Sequence, residues 1–314
     1  MSLDAADTSG WAARENFGTI TAMHTFLLHN GELVKTDQRV LSPGQVGFMN
    51  GWGVFSTIRV SQGVLFAFHR HYLRMQRDAQ RMHVPFPYAE EELLTQLERL
   101  VEKNQAMEAT LRVALVRNRG GLFEGTGIET DCDLIAFTAN IAAWVDGVKL
   151  SYQPNGRFGA CPFAGAKITS WAQNLVWNEQ VRQRGFDEVI LLNERGEVSE
   201  CTSANIFVIS GENVYTPPLA TSGCLPGVTR QLLLEEICVP GMSITERVLE
   251  PADLEKADQV FITSTTRDLL GVASVDGSKL NQHPVSLHLL RNAFLAYQGQ
   301  YIAAHMHRKE VMLA

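Results

Sequence analysis

No two of the five cysteines form a CxxC pair, their number is odd, and no secretory pattern precedes them. A disulfide scaffold and a cysteine-based zinc knuckle are thereby excluded, and a reduced, cytoplasmic setting is expected. No stretch of about 18 apolar residues occurs, so no membrane-spanning helix is expected. Basic charge is also short. The 27 Lys and Arg against 34 Asp and Glu leave a formal net charge of −7, which argues against nucleic acid as a partner. Internal repeats and low-complexity tracts are missing as well. The densest basic stretch, 70–81, reads as one solvated helix face with a few buried exceptions.

Apolar material is ample: 45% hydrophobic and 19% charged over 314 residues supports two domains with their own cores. Residues 1–21 are polar and non-periodic and read as a loose tail. A first block, 22–143, opens on a hairpin signal from His24 to Leu28, through Asn30-Gly31, to Leu33-Val34. A second hairpin is expected from Val54 to Val60, turning at Gln62-Gly63 and returning through Val64 to Phe68. Helices over about 70–83 and 89–104 and strands Thr110 to Val116 and Leu134 to Thr138 follow. Gly120, Gly121, Gly125 and Gly127 mark a mobile loop between those strands. Residues 144–165, rich in Gly, Pro, Asn and Ala, read as the inter-domain connection.

The remaining block, 166–314, alternates elements. Helices are expected near 170–184, over 228–238, from Pro251 and from Pro284. Strands are expected at Glu188 to Leu192, Asn205 to Val208, Val214 to Thr216, Ser243 to Val248 and Val260 to Thr263. Hairpins mixed with helices indicate an α+β chain rather than a doubly wound sheet.

Between Glu200 and Arg230 the residues are spaced like half of a pocket. Pro226-Gly227 permits a tight turn, and Val228-Thr229-Arg230 forms the first turn of a helix. Its free N–H groups and positive dipole end suit an anion. Taken alone, a Pro-Gly turn capping a helix is the commoner situation. Thr263-Ser264-Thr265-Thr266 follows an apolar strand and could cap a helix or hold an anion; alone, the cap is the commoner use. Glu200 stands after a turn and before an apolar strand. Most glutamates face solvent, but a carboxylate here could keep a ring nitrogen protonated. Lys167 lies among small and apolar residues, Phe163-Ala-Gly-Ala-Lys167-Ile, where desolvation favours the neutral, nucleophilic amine.

Taken together, these residues resemble the class IV (fold type IV) pyridoxal-phosphate enzymes, a group that includes branched-chain aminotransferases, D-amino acid aminotransferases and aminodeoxychorismate lyases. The likeness runs from about Leu27 to about Phe294. It implies a small N-terminal α/β sandwich, a larger C-terminal pseudo-barrel, and pyridoxal 5′-phosphate as cofactor. Lys167 is similar to the lysine that forms the Schiff base and shuttles the proton, and Glu200 to the acid on the pyridine nitrogen. Arg74, in His71-Tyr-Leu-Arg74-Met, resembles a phosphate-binding arginine, and Val228 and Thr229 the helix start that holds the phosphate. Thr265 and Thr266 resemble hydroxyl and amide groups at a strand end, close to the substrate carboxylate. Phe55, Thr57, Arg59 and Arg112 are similar to residues lining the substrate side.

The chain also departs from the pattern. No tyrosine follows Lys167 to bond the cofactor's phenolic oxygen, leaving Asn174 or a distant tyrosine as substitutes. Thr110 stands where branched-chain enzymes have a tyrosine, and Leu122 replaces the substrate-binding arginine of the lyase. The resemblance implies a transaminase acting by a ping-pong route, passing the amino group of a hydrophobic or branched-chain L-amino acid to 2-oxoglutarate. Its alternatives are an aminodeoxychorismate lyase and a D-amino acid or (R)-amine transaminase. A homodimer is implied, with the 120–127 loop serving a neighbouring pocket. No metal is expected: His71 belongs to the arginine motif, and His305 and His307 fall on the terminal helix.

Overall fold

A computed structural model of the protein describes residues 22–126 and 128–313, with side chains placed as far as Met306. The tail over 1–21, Gly127 of the glycine loop and the side chain of His307 lie outside the described residues.

The N-terminal part contains β1 (Met23–His29), β2 (Glu32–Lys35), α1 (Val46–Asn50), β3 (Gly53–Ser61), β4 (Val64–Leu65), α2 (Phe68–Arg81), α3 (Glu90–Lys103), β5 (Ala109–Arg117) and β6 (Cys132–Ala139). Its six strands form one sheet in the order β2-β1-β6-β5-β3-β4. Strand β3 pairs antiparallel with β5 from Gly53 against Val116 to Val60 against Ala109. Side chains alternate across a strand, so Val54, Ile58 and Val60 share one face with Leu111, Val113 and Leu115. That face is closed by Tyr72, Met75 and Ala79 of α2 and by Leu93, Leu97 and Leu100 of α3, each helix burying an i, i+3, i+4 stripe. The opposite face carries Phe55, Thr57 and Arg112.

The C-terminal part contains β7 (Val148–Gln153), α4 (Ala172–Gln183), β8 (Glu188–Leu192), β9 (Val198–Cys201), β10 (Asn205–Ser210), β11 (Asn213–Thr216), α5 (Leu219–Ser222), α6 (Val228–Glu235), β12 (Ser243–Glu246), α7 (Pro251–Lys256), β13 (Gln259–Ser264), β14 (Asp268–Val275), β15 (Ser278–Lys279) and α8 (Pro284–Leu313). Its sheet runs β12-β11-β10-β13-β14-β7-β8-β9, with β15 on β14. The far strand β9 turns directly into β10, Cys201 N–H donating to Ala204 O at 2.8 Å, so the sheet curls back on itself as an incomplete barrel. Ile190, Val198, Ile206, Val208, Val260, Ile262 and Val272 pack on one side of it. On the other, α6 and α8 cover Phe207 and Phe261, whose rings stack at 4.9 Å.

The mixed α+β class expected from the sequence is the one observed, and most elements lie within two residues of their expected bounds. The exceptions have physical causes. The return strand expected through Phe68 stops at Leu65, because Ala67 adopts a left-handed φ of 54° and α2 starts at Phe68. Helix α6 ends at Glu235 rather than 238, two residues short of the Cys238-Val239-Pro240 segment, where Pro240 could not continue it. The stretch 144–165 is more than a connection: Val148, Leu150 and Ser151 are buried in β7, between β14 and β8. Strands β9 and β14 went unread because their residues are buried on both faces, which removes alternation.

The two parts meet along a seam of specific bonds. Phe55 N–H donates to Lys167 O at 3.0 Å, and Val54 bridges Ile168. Arg59 pairs with Asp268 at 2.7 Å, and Arg81 reaches the carbonyls of Pro162 and Ala164. Leu111 sits fully buried under both helices of the smaller sheet. Leu111→Ala is expected to lower unfolding stability by about 2–5 kcal/mol, seen as a shifted urea midpoint with an unchanged slope.

Candidate active site

Between the two sheets lies a cavity of about 460 Å³, a size suited to a small-molecule cofactor and substrate. Lys167 enters it from the seam. Its backbone is fixed on both sides, the N–H donating to Asp78 Oδ2 at 3.0 Å and the carbonyl accepting from Phe55. The Nζ sits 4.5 Å from the centre of the Phe55 ring and 5.5 Å from that of Trp171, two rings packed edge to face. Burial is the main cause that pulls its pKa down to about 7, with the positive charges of Arg74 and Arg112 acting the same way and Glu200 opposing them. The lysine singled out in the sequence therefore lines the cavity as a desolvated amine.

One set of lining groups is basic or hydroxyl-bearing. Arg74, from α2, donates from Nη2 to Ser56 Oγ at 2.8 Å, and the Ser56 hydroxyl is thereby free to donate to His71 Nδ1, also at 2.8 Å. His71 is wholly buried, and burial together with Arg74 and Lys167 holds its pKa well below the ordinary range, so it is the neutral acceptor this chain of bonds needs. Burial also lowers Arg74 to about 10, and its Nε has no partner. Gly227 precedes α6, whose start at Val228 and Thr229 lines the cavity without any side-chain cap. A Cβ on Gly227 would lie 2.0 Å from Asn205 Oδ1, so only glycine lets these strands and the helix meet. Thr265 and Thr266 also line the cavity. They occupy the turn joining β13 to β14, so no helix follows for them to cap. Beside them the hydroxyls of Thr263 and Ser264 are buried without a partner.

Glu200 lines the same cavity. It lies within β9, 6% exposed, and is neither in a turn nor facing solvent. Its Oε2 accepts the Leu225 N–H at 3.0 Å and its Oε1 accepts Arg157 Nε at 3.0 Å. Arg157 was not singled out in the sequence. It follows a Pro-Asn-Gly turn like any surface residue, and only the fold carries it to Glu200. Asn174, named above as a substitute for the missing tyrosine, has its amide committed: Oδ1 accepts from Arg157 and Nδ2 donates to Thr202 O. No tyrosine is among the residues lining the cavity.

The third side is formed by Phe55, Thr57 and Arg112, all of which line the cavity as expected. Thr57 and Arg112 are direct partners across β3 and β5. The Arg112 guanidinium lies 4.0 Å from the Phe55 centroid and 5.9 Å from that of Trp171. Among the described residues no carboxylate pairs with it, and burial lowers its pKa. Trp171 was overlooked as a pocket wall, although it stands four residues after the lysine. Arg59, expected to line the substrate side, does not; it spans the seam to Asp268 instead. Leu122 is 80% exposed and lies outside the lining, as does Thr110. Among the described residues no group of three or more His, Cys, Asp or Glu is placed to hold a metal.

The chain matches the family model described as amino-transferase class IV over residues 53–275. It is 28% identical over 262 residues to a D-alanine aminotransferase of Bacillus licheniformis, covering 81% of this chain and 89% of that protein. It is 26% identical over 294 residues to a branched-chain-amino-acid aminotransferase of Escherichia coli K12, covering 88% and 94%. The fold is similar to a crystal structure of an Escherichia coli branched-chain amino acid aminotransferase, with a TM-score of 0.80 at 23% identity over 88% of this chain and 95% of that one.

The depressed pKa of Lys167 has a direct chemical consequence. The neutral amine is the nucleophile, so labelling of Lys167 by trinitrobenzenesulfonate is expected to rise with pH through about 7 and then level off. Exposed lysines should keep climbing toward about pH 10.4. Peptide mass spectrometry resolves the sites, and a Lys167 profile matching the exposed ones would contradict the desolvated amine.

Proposed function

The chain belongs to the class IV aminotransferases, and from that premise we propose that it moves an amino group from a hydrophobic, branched-chain L-amino acid to 2-oxoglutarate. Pyridoxal 5′-phosphate is the cofactor of this family, and the cavity fits it. Partnerless buried hydroxyls at Thr263 and Ser264, the bare Arg74 Nε, and the Gly227 cradle all stand ready for a phosphate. When bound, the cofactor supplies an electron sink for the electrons of the substrate Cα–H bond.

In this reading Arg74, the N–H groups of Val228 and Thr229, and the Thr265-Thr266 turn hold the phosphate, where charge-assisted bonds to a dianion are strongest. Glu200 faces the ring nitrogen and keeps its proton in place. Lys167 would hold the cofactor, and its free amine would take the α-proton and return it. An amine with a pKa of about 7 is matched to that task, since proton transfer is most efficient near the working pH. Phe55 and Trp171 exclude water from the reacting face and offer an apolar wall to a branched side chain. Thr57, Thr266 and Arg112 meet the substrate's polar groups.

The observation that carries this reading is Arg112: a guanidinium held on two aromatic rings beside Lys167, with no acid among the described residues paired to it. A carboxylate of the substrate supplies the missing charge, and a dicarboxylic acceptor has one to spare. Two further proposals accompany it. The cavity lies between a small domain, 22–143, and a large one that takes in β7 as well as 166–314. The chain forms a cytoplasmic homodimer, its exposed Leu122 and Phe123 meeting a second copy.

Leucine with 2-oxoglutarate is expected to give glutamate with parallel double-reciprocal lines, and Lys167→Ala should abolish the borohydride-fixed adduct. Pyruvate released from aminodeoxychorismate without any acceptor would establish the lyase instead, and turnover of D-amino acids or (R)-amines alone would overturn the L-specific assignment. Arg112→Gln should reduce kcat/KM for 2-oxoglutarate by about a hundredfold, mainly through KM, on the scale of an unpaired buried charge. An unchanged KM would remove Arg112 from substrate binding.

A further inference from the structure

Beyond the residues assigned above to the cofactor, one buried ion pair stands beside the cavity. Arg267 and Glu188 meet at 3.1 Å with their side chains only 6% and 2% exposed. Glu188 opens β8, and Arg267 closes the turn that bears Thr265 and Thr266. Glu188 lies outside the cavity lining, while Arg267 borders the cavity and follows Thr266 directly in the chain.

Their bonds converge on a third element, the turn between β9, which carries Glu200, and β10, which carries Asn205. Glu188 accepts from the Thr202 hydroxyl, from Ser203 Oγ at 2.6 Å, from Asn178 Nδ2 at 3.2 Å and from Val189 N–H at 2.9 Å. Arg267 Nη1 donates to Ser203 Oγ at 2.8 Å and to Ser203 O at 3.1 Å. The guanidinium also lies 4.1 Å from the centre of the Trp144 ring, which fixes its plane. Both oxygens of the carboxylate are therefore in use, and the arginine is held by charge, by hydrogen bonds and by an aromatic face. A buried pair of this kind adds little net stability compared with apolar residues of the same volume. What it adds is geometry: two planar groups bonded on several edges fix relative position in a way that packing of flexible side chains does not.

We propose that Arg267 and Glu188 are a positioning pair that clamps the Thr265-Thr266 turn to the Thr202-Ser203 turn, setting the spacing between the phosphate groups and the Glu200 strand. The clamp rests on the reading of this cavity as a pyridoxal-phosphate site, because that cofactor is a rigid ring whose ends must be met at a fixed separation. It acts through the two turns it joins, by holding their separation.

The test separates geometry from stability. The double variant R267M/E188Q removes both charges while keeping side-chain volume, and S203A cuts one strand of the link while leaving the ion pair. With cofactor-free protein titrated by pyridoxal phosphate, the double variant is expected to raise the dissociation constant about tenfold and S203A about threefold. The melting temperatures of both cofactor-free variants should stay within about 4 °C of wild type. A double variant that binds as tightly as wild type overturns the proposal. So does a loss of affinity that merely follows a large fall in melting temperature while S203A binds normally. Wild-type protein that fails to bind the cofactor saturably would instead bring down the functional reading, and the clamp with it.

Discussion

Keeping one lysine amine out of water, next to two guanidinium groups, is the constraint around which the rest of the structure is arranged. Desolvation and like charge both disfavour the ammonium of Lys167. A free side chain would relieve that strain by swinging to solvent. It is prevented here because the backbone is tied on one side to Phe55 of the small sheet and on the other to Asp78 of α2. The same two bonds join the sheets, so the position of the amine and the closure of the cavity are one structural fact.

Charge is distributed around that amine unevenly. Glu200 is matched by Arg157, and Glu188 by Arg267. Among the described residues Arg74 and Arg112 form no ion pair with a carboxylate, and both have lowered pKa values because burial penalises their charge, Asp78 only partly offsetting it at Arg74. In the proposed reading these two cations would meet the two anions of the reaction, a phosphate and a carboxylate. A desolvated cation offers far more to an incoming anion than a hydrated one does, so the cost of burying it is offset on binding. The positive excess is local, within a chain whose overall charge is negative.

Much of this was readable in the linear chain. Turn chemistry at Asn30-Gly31 and Gln62-Gly63 located hairpins, since few residues tolerate positive φ, and the amphipathic stripes of α2 and α3 located the helices. Lys167, Glu200, Arg74, Val228, Thr229, Thr265 and Thr266 all line one cavity, as do Phe55, Thr57 and Arg112. Strands β7, β9 and β14 were not readable. Their side chains are buried on both faces or sit in a Gly- and Pro-rich neighbourhood, and a period-two signal needs one wet face. Arg59 was misjudged for a related reason: alternation gives the face of a strand but not which neighbour waits opposite, and for Arg59 that neighbour is Asp268.

The sequence by itself determined the chemistry available: one lysine in a small-residue setting, an acid at a fixed interval, and two anion-binding segments built from glycine, threonine and a helix start. These are local properties, set by residue type and short-range spacing. Tertiary structure alone decided which groups are paired and which stand unmatched. Arg157 is separated from Glu200 by 43 positions, and Arg267 from Glu188 by still more, so only folding makes ion pairs of them. Arg112 is left without an acid by the same process. Charge pairing inside a protein depends on distance and on exclusion of water, and neither exists until the two sheets have closed over the cavity.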